Sequence, residues 1–500
     1  MRRLFLFLSL FIAIIAVAIW WANPGTWWLL VIVGVLICLG FYDMFQSEHT
    51  ILRNFPVIGH IRYLFEFISP EIQQYFIERH TDGTPIPRNH RNLVYRRAKN
   101  VDDTHPFGTE LDLYAPGYEG FKHSIYPVEP PKEPPRVLIG GKDCKQPYSA
   151  ALLNISAMSF GALSKNAILA MNKGAKVGNF YHNTGEGGLS DYHLQGGGDI
   201  VWQIGTGYFG CRTKEGHFHP DEFQKRAMHE HVKMIELKIS QGAKPGHGGV
   251  LPAIKNTEEI AKIRLLEPHT TVLSPPGHKE FSDAEGLLMF IKKLRDLSGG
   301  KPTGFKLCIG RKEEFVDICE AMKKTGIKPD FITVDGAEGG TGAAPLEFSD
   351  SVGMPLEPAL KFVHQALKNY GLRDEIRVIC SGKIIPAAML LKMLALGADL
   401  CNAARAFMLS IGCIQALRCN TNKCPTGVAT QNPKLVKGLV VEDKYMRVAN
   451  FQKSTVQDAM ELMAACGFRQ PKDMTPDIFL YGTEWARTKQ VDGVSDGKSM

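Results

Sequence analysis

Two apolar runs separated by a short turn open the chain. Residues 4–21 and 27–42 contain no charged side chain, and the sequence ANPGT at residues 22–26 lies between them. A bilayer core is crossed by roughly 20 apolar residues, so the pattern predicts a two-helix transmembrane anchor over residues 1–45. A cleaved signal peptide is the alternative, because two arginines before an apolar stretch also begin such peptides.

Basic residues flank the two runs on one side. Arg2 and Arg3 precede the first run, and others follow the second: Arg53, Arg62, Arg88, Arg91, Arg96, Arg97 and Lys99. Segments rich in Lys and Arg tend to stay in the cytoplasm. We therefore expect a protein of the inner or cytoplasmic membrane, with two spans and with the remainder of the chain in the cytoplasm.

The pattern changes twice after the anchor. Residues 46–150 are mixed and become rich in proline, which predicts an irregular segment wrapping a core. From residue 151, apolar runs alternate with amphipathic stretches of helical period. Strands are predicted at 152–158, 200–204, 234–240, 271–275, 303–309, 330–335, 376–381 and 399–404. Helices are predicted at 164–176, 283–297, 313–325, 357–370 and 385–396.

Alternating strands and helices imply a parallel sheet. Eight such units fit a closed (β/α)8 TIM barrel over residues 151–432, and the fold class is α/β. A doubly wound open sheet is the alternative. Residues 433–500 are expected to form one helix, at 450–466, followed by a polar tail.

Composition narrows the function classes. The chain is 44% hydrophobic and 22% charged, as folded proteins are, and its net charge of +7 is spread along the chain, so no nucleic-acid partner is expected. Eleven cysteines in 500 residues are too few for a disulfide scaffold. Most lie singly in apolar runs, as Cys308, Cys319 and Cys380 do, and are interpreted as reduced buried thiols.

Residues suited to binding a ligand follow the predicted strands, where barrel enzymes place their chemistry. They are Ala157, Met158 and Ser159 after the first strand, Lys306 on the fifth, Gly339 and Gly340 after the sixth, and Gly382 after the seventh. Glycine loops after the last strands often hold a phosphate on backbone N–H groups. Each glycine cluster alone is more typical of a turn, but together they predict a phosphorylated cofactor.

One motif is misleading. Residues 205–210 match the dinucleotide pattern GxGxxG after a predicted strand. A dinucleotide site needs a helix that begins at the third glycine, and Gly216 and Pro220 interrupt the segment that follows. Nicotinamide binding is therefore not expected.

Three cysteines lie in one short segment. Five residues separate Cys413 from Cys419, and four separate Cys419 from Cys424. Compact cysteine loops bind iron–sulfur clusters, and three ligands favour a cluster of three irons. Zinc or a four-iron cluster stays open if Cys401 or Cys466 supplies a fourth ligand. Three buried thiols would be the remaining interpretation, but residues 420–423 are too polar for a core.

Taken in order, these motifs carry a family resemblance. The segment from residue 155 to about residue 433 resembles the FMN-binding synthase domain of glutamate synthases, and the membrane-anchored form resembles the glutamate synthase-related FMN-binding proteins. The matching pieces are SAMSFG at 156–161, NTGEGG at 183–188, QGAKPGHGG at 241–249, SPP at 274–276, GGTGA at 339–343 and the cysteine segment at 412–431.

The resemblance implies a function. It implies FMN, a [3Fe–4S] cluster on Cys413, Cys419 and Cys424, and an oxidoreductase of CH–NH2 donors that reduces an imine from a 2-oxoacid and ammonia to an amino acid, or the reverse. Lys306 matches a lysine near the flavin N1 and O2 edge. Glu186 and Lys244 match catalytic residues of the substrate pocket, although ordinary ion pairing would also account for both. A ferredoxin or a separate reductase would supply electrons.

The sequence departs from the family's pattern in two ways. No amidotransferase segment accompanies the matched region, so release of ammonia from glutamine is not expected here. His247 stands where the family has an acid, and Val250 where it has a glutamine. These differences favour a rival interpretation, a flavin-dependent dehydrogenase of another amine or hydroxy acid. A membrane-tethered electron-transfer flavoprotein is a third.

Overall fold

A computed structural model describes residues 1–101 and 104–482 of the chain. It divides into two compact units, one of residues 1–88 and one that begins at Asn89. The predicted polar tail lies largely outside the described residues. The boundaries expected at residues 45, 150 and 432 stay predictions.

The first unit begins with a helical hairpin. Helices Arg2–Ala22 and Trp27–Phe45 are joined by a single 3-10 turn, Pro24–Thr26. The helices touch closely at Gly40, where a Cβ would lie 2.1 Å from the Phe5 ring. Both segments are long and apolar enough to cross a membrane, and by that criterion alone they fit a signal sequence as well.

A buried carboxylate fixes the chain beyond the hairpin. Asp43, at the end of the second helix, is fully buried. It accepts hydrogen bonds from the backbone N–H of Val57 at 2.8 Å and from His60 Nε2 at 2.9 Å. Helices Thr50–Asn54 and Gly59–Ile72 and the π-turn Gln73–Ile77 complete this unit.

The second unit contains a closed parallel barrel of eight strands, which confirms the predicted TIM barrel and rules out the open sheet. The strands, in chain order, are β1 Leu153–Ile155, β2 His182–Asn183, β3 Ile200–Ile204, β4 Val232–Lys238, β5 Thr303–Leu307, β6 Phe331–Asp335, β7 Arg377–Ser381 and β8 Leu400–Ala403. Strand β8 pairs with β1 and closes the ring.

One predicted strand was wrong and one was missed. Val272–Leu273, predicted within 271–275 as a barrel strand, instead pairs antiparallel with Val250–Leu251 outside the barrel. Val272 is 6% exposed but Leu273 is 69% exposed, so this apolar run is buried on one side only, unlike the barrel strands. The missed strand is β2, whose two residues are polar and give no apolar run. The two errors offset each other, so Lys306 lies on the fifth strand as predicted.

Helices surround the barrel, and the five predicted ones are present within a few residues of their expected ends. Those described in the second unit are Lys165–Gly178, Asp191–Gln195, Pro220–Ala227, Glu258–Arg264, Ala284–Leu297, Lys312–Thr325, Leu346–Ser351, Leu356–Asn369, Ala387–Ala395, Arg405–Ser410, Pro433–Val436 and Val441–Ala465, preceded by Arg88–Ala98 at the boundary between the units. Helix Val441–Ala465 begins before the predicted 450–466, because charged residues at 442, 443, 444 and 447 obscure the apolar period of its first two turns.

The two ends of the barrel differ. A hairpin of Val137–Ile139 and Tyr148–Ala150 covers the end where the strands begin. Its buried residues join one core cluster with residues from the strands, including Val201, Met234 and Phe331. The hairpin therefore fills the amino-terminal end, and side chains for chemistry remain at the carboxyl ends of the strands. A further pair, Glu119–Phe121 with Phe479–Tyr481, lies outside the barrel.

Candidate active site

Lys306 and Asp335 form a buried ion pair at the carboxyl ends of β5 and β6. Lys306 Nζ lies 3.1 Å from Asp335 Oδ2, and the side chains are 7% and 9% exposed. Asp335 also accepts hydrogen bonds from the Gly242 N–H, at 2.9 Å, and from the Ser381 hydroxyl. Burial alone would lower the pKa of Lys306, but Asp335 and Glu236 outweigh it and raise that pKa. Lys306 is therefore a fixed cation.

Glu236 of β4 supplies the second negative charge, deeper in the barrel. It is 1% exposed. Three neutral groups donate to its carboxylate: Asn183 Nδ2 at 2.8 Å, Gln203 Nε2 at 2.7 Å and Thr333 Oγ1 at 2.7 Å. Hydrogen bonds to the charged form make a buried carboxylate tolerable. The layer beneath Lys306 is thus polar and hydrogen-bonded.

Glu186, in the loop after β2, is held by cations. Lys238 Nζ, at the end of β4, lies 2.8 Å from Glu186 Oε1 and also donates to Gln241 Oε1 at 2.7 Å. Burial would raise the pKa of Glu186, but Lys238, Arg264 and Lys244 outweigh that effect and lower the pKa. Glu186 is therefore ionised at neutral pH.

Two glycines make room for this carboxylate. A Cβ at Gly205 would lie 2.5 Å from Glu186 Oε2, and a Cβ at Gly249 would lie 2.6 Å from Glu186 Oε1. Real Cβ atoms essentially never lie so close to another heavy atom, so a side chain at either position would displace the Glu186 carboxylate. Gly205 is the first glycine of the GxGxxG pattern, so at least that glycine serves the Glu186 pocket by leaving space.

Lys244 is a second buried lysine beside Glu186. It is 2% exposed, and its Nζ donates to the Ala343 carbonyl at 2.7 Å. Burial, opposed by Glu186 and assisted by Lys238, lowers its pKa to about 8. Within the described residues Nζ has one acceptor, so two of the three ammonium hydrogens stay available to a ligand.

Arg264 completes the positive charge around Glu186 and was not predicted. Its guanidinium donates to the Phe160 carbonyl at 3.2 Å and lies over the Phe209 ring, 5.1 Å from the centroid. Burial lowers its pKa to about 10, and Glu186 opposes the shift. Three cations, Lys238, Lys244 and Arg264, therefore surround one carboxylate, which favours a bound anion.

The predicted residues Ala157, Met158 and Ser159 lie next to the loop that carries Glu186. Met158 N–H donates to the Asn183 carbonyl at 3.3 Å. Gly185 has φ +65°, and a Cβ there would lie 2.8 Å from Ser159 N. The loop after β1, residues 156–163, and the loop after β2 thus pack backbone against backbone.

The glycine loops after β6 and β7 face two basic residues. A Cβ at Gly340 would lie 2.9 Å from Arg405 Nε, and Arg405 also donates to the Glu338 carbonyl. Burial lowers the pKa of Lys383, which follows Gly382, and the neighbouring Arg405 lowers it further. Burial likewise lowers the pKa of Arg405. Neither basic residue had been assigned a role from the sequence, and together they form a site suited to a phosphate.

The segment of residues 412–431, called the cysteine loop below, brings its three thiols near one another. Burial, with smaller contributions from Cys419 and Cys424, raises the pKa of Cys413 to about 12. Gln415, Leu417 and Asn422 all have positive φ, so the backbone curls tightly between the cysteines.

Cys424 lies among hydrogen-bond donors. Burial would raise its pKa, but the Thr426 hydroxyl and the N–H groups of Ala429, Thr426 and Val428 outweigh it and lower that pKa. Such donors stabilise a thiolate, and N–H···S bonds are typical of iron–sulfur ligands. This donor set fits a cluster.

The alternative fourth ligand Cys401 lies elsewhere. Its Sγ is 3.5 Å from Cys380 Sγ, and both thiols are buried on adjacent barrel strands. Among residues 1–101 and 104–482, no three His, Cys, Asp or Glu side chains converge as a single metal ion requires. In a cluster the thiolates bind different irons, so they need not converge on one point.

His247 and Val250 follow Lys244 in the chain, on either side of Gly248 and Gly249. The His247 ring contacts Phe348 edge to face, with centroids 5.1 Å apart. Val250 pairs with Leu273 in the small antiparallel ladder. Neither contact adds a charge to the pocket.

The chain has clear relatives. Residues 130–469 match the family described as the conserved region in glutamate synthase. The glutamate synthase large subunit-like protein YerD of Bacillus subtilis is 39% identical over 90% of this chain and 93% of its own length. The archaeal glutamate synthase [NADPH] of Methanocaldococcus jannaschii is 37% identical over 63% of this chain, but this match spans only 58% of that protein.

Among solved structures, the flavin-binding domain of baker's yeast flavocytochrome b2 aligns with 88% of this chain and 92% of that chain. The identity is 14% and the TM-score 0.47, a likeness too weak to bear on function.

Proposed function

The chain belongs to the glutamate synthase family, and from this premise we propose that it is an FMN-dependent oxidoreductase that interconverts an amino acid with a 2-oxoacid and ammonia. The observation that carries the proposal is the charge arrangement around Glu186. One ionised carboxylate lies among three buried cations, at the carboxyl end of a TIM barrel. That arrangement suits a substrate that carries a carboxylate and a nitrogen.

FMN is supported by residues at two places. Arg405 and Lys383 would hold its phosphate against Gly339, Gly340 and Gly382, because burial lowers the pKa of both cations and a bound phosphate would stabilise their charge beside the glycine loops. Lys306 would lie at the pyrimidine edge of the ring, and residues 157–159 would line it. When bound, FMN supplies two-electron transfer to or from the carbon of a C–N bond.

A [3Fe–4S] cluster on Cys413, Cys419 and Cys424 is the second part of the proposal. The donor set at Cys424 and the tightly curled backbone of the cysteine loop support it. The cluster would accept single electrons from a ferredoxin or a separate reductase. The residues of the loop supply the thiolates and the N–H groups that stabilise them.

The side chains of the pocket have separable tasks. Arg264 and Lys244 bind the substrate carboxylate, because both are buried cations with hydrogen-bond donors left for a ligand. Glu186 is ionised, receives a proton from the ammonium-like nitrogen as the C–N bond forms, and returns it when that bond breaks in the reverse direction. Lys238 holds Glu186 ionised and aims its carboxylate. Lys244, with a pKa of about 8, can also return a proton near neutral pH.

A second candidate has one observation in its favour. His247 and Val250 stand where the family has an acid and a glutamine, and the His247 ring contacts Phe348, so the side chains of the family's pattern are replaced at both positions. A dehydrogenase of another amine or hydroxy acid would fit such a pocket. A tethered electron-transfer flavoprotein would leave the cations around Glu186 without a task.

The proposed location is the cytoplasmic membrane, with the hairpin of residues 1–45 as anchor and the barrel in the cytoplasm. The two apolar helices and the basic residues that flank them support this location. An anchor would keep the enzyme near a membrane-bound electron source.

Substrate-dependent reoxidation tests the proposal. The full chain, purified in detergent, is assayed for FMN, iron and sulfide and is then reduced with dithionite. A panel of 2-oxoacids, each with and without ammonia, is added, and flavin absorbance is followed. We expect reoxidation that requires both an oxoacid and ammonia. No reoxidation by any member of the panel would contradict both enzyme assignments.

A further inference from the structure

Lys255 is a buried lysine that touches two separate loops. It ends the 3-10 turn Ala253–Lys255 and is 2% exposed. Its Nζ donates to the carbonyl of Ala162 at 2.6 Å, in the loop after β1. The same Nζ donates to the carbonyls of Cys419 at 3.2 Å and Ala429 at 3.3 Å, both in the cysteine loop. One side chain therefore joins the proposed flavin loop to the proposed cluster loop.

The contacts of Lys255 select the charged form. An ammonium group has three N–H donors and no acceptor, and three carbonyl oxygens surround this one. A neutral amine would direct its lone pair at one of these oxygens, which repel it. The pocket is therefore built around a positive charge.

The surroundings determine what that charge can do. Burial lowers the pKa of Lys255 to about 8, and the charged groups that act on it are Cys419, Cys424 and Arg264. The first two are proposed cluster ligands, and negative charge on them favours the ammonium, whereas Arg264 opposes it. As thiolates, Cys419 and Cys424 would carry the negative charge that Lys255 faces.

A neutral side chain, Gln431, also bridges the same two loops, so the effect of losing a bridging contact can be distinguished from the effect of losing the charge of Lys255. Gln431 Nε2 donates to the carbonyl of Gly161 at 3.1 Å and to that of Leu163 at 2.8 Å. Gln431 belongs to the cysteine loop, and both acceptors belong to the loop after β1. Replacement of the Gln431 side chain removes hydrogen bonds between the two loops without removing a charge.

We propose that Lys255 is a positioning residue that places one positive charge beside the cluster ligands Cys419 and Cys424 and so raises the reduction potential of the cluster. The inference rests on the cluster in the proposed function. Each electron that the cluster accepts from the donor protein adds one negative charge, and a nearby ammonium in a poorly solvated site stabilises that charge. The electron then has less tendency to return to the donor.

Potentiometric titration of the full chain tests this role. The variants are Lys255→Met, which removes the charge, Lys255→Arg, which keeps it, and Gln431→Met as the neutral control. Cluster content is measured as iron and sulfide, and the fraction reduced is followed by electron paramagnetic resonance. We expect a lower midpoint potential in Lys255→Met and wild-type potentials in Lys255→Arg and Gln431→Met.

The outcomes separate the inference from its premise. A wild-type chain without iron and sulfide would overturn the cluster proposal itself. A wild-type cluster with an unchanged potential in Lys255→Met, or an equal fall in Gln431→Met, would overturn the role of Lys255. If the Lys255→Met variant loses the cluster, the Lys255→Arg variant decides the point. A cluster retained in the arginine variant supports the requirement for a positive charge, and a cluster lost in both variants would overturn it.

Discussion

Lys238 Nζ, at the end of β4, lies 2.8 Å from Oε1 of Glu186, which belongs to the loop after β2, 52 positions away in the chain. The contact keeps a partly buried carboxylate ionised, because an opposite charge favours the charged form more than burial disfavours it. The proposed proton chemistry depends on that charge.

Replacement of Lys238 should therefore shift the pH dependence of the enzyme. In Lys238→Met the pKa of Glu186 rises, because its nearest cation is gone. We expect the acid limb of the kcat/KM profile to move to higher pH. Lys233→Met is the matched control, since Lys233 lies on the same strand with its side chain 38% exposed. Identical acid limbs in wild type and Lys238→Met would contradict this role.

Loss of the charge on Lys244 should determine the alkaline limb of the kcat/KM profile. Burial lowers its pKa to about 8. Below that pH the side chain is an ammonium that binds the substrate carboxylate, and above it the charge is lost. We expect kcat/KM to fall as the pH rises through about 8. Lys244→Arg stays charged, so its profile should lack this fall, whatever its maximal rate. A fall at the same pH in the arginine variant would assign the limb to another group.

Gly249 should be required because it leaves room for the Glu186 carboxylate, and not because its backbone needs the conformational freedom of glycine. A Cβ there meets Glu186 Oε1 at 2.6 Å, so Gly249→Ala displaces the carboxylate. We expect a loss of about 10- to 100-fold in kcat, as small misplacements at catalytic groups produce. Gly277→Ala is the control, because a Cβ at Gly277 meets nothing within 4 Å. Equal losses in both variants would contradict the steric argument.

Arg405 should contribute to FMN affinity through the phosphate. A charge-assisted hydrogen bond contributes roughly 1.5–3 kcal/mol, so Arg405→Met should raise the Kd for FMN by about 10- to 100-fold. Fluorescence of released flavin measures the Kd. Riboflavin, which has no phosphate, should bind wild type and variant equally. A matching loss of riboflavin affinity would show that Arg405 acts on the ring or on the fold instead.

The hairpin should remain on the mature protein. If residues 1–45 form an anchor, the protein pellets with membranes after alkaline carbonate extraction, and intact-mass measurement finds the first helix still attached. Removal of residues 1–21 or thereabouts would identify a signal sequence and contradict the two-span anchor.

The barrel was predictable because most of its strands are apolar runs between amphipathic helices. Strand β2 was not, since His182 and Asn183 are polar and their pairing depends on neighbours on both sides. The same limit applies to the pocket. The motif matches pointed to Glu186 and Lys244, but Arg264 lies at the end of an ordinary helix, and its proximity to Glu186 exists only in the folded chain.

The source of the product's nitrogen tests the central claim most directly. The dithionite-reduced full chain is mixed with a 2-oxoacid that reoxidises it and with 15N-labelled ammonia, and the products of a single turnover are analysed by mass spectrometry. The account predicts an amino acid carrying one 15N atom, in an amount equal to the flavin reoxidised. Reoxidation by the oxoacid without ammonia, with a 2-hydroxy acid as product, would contradict it.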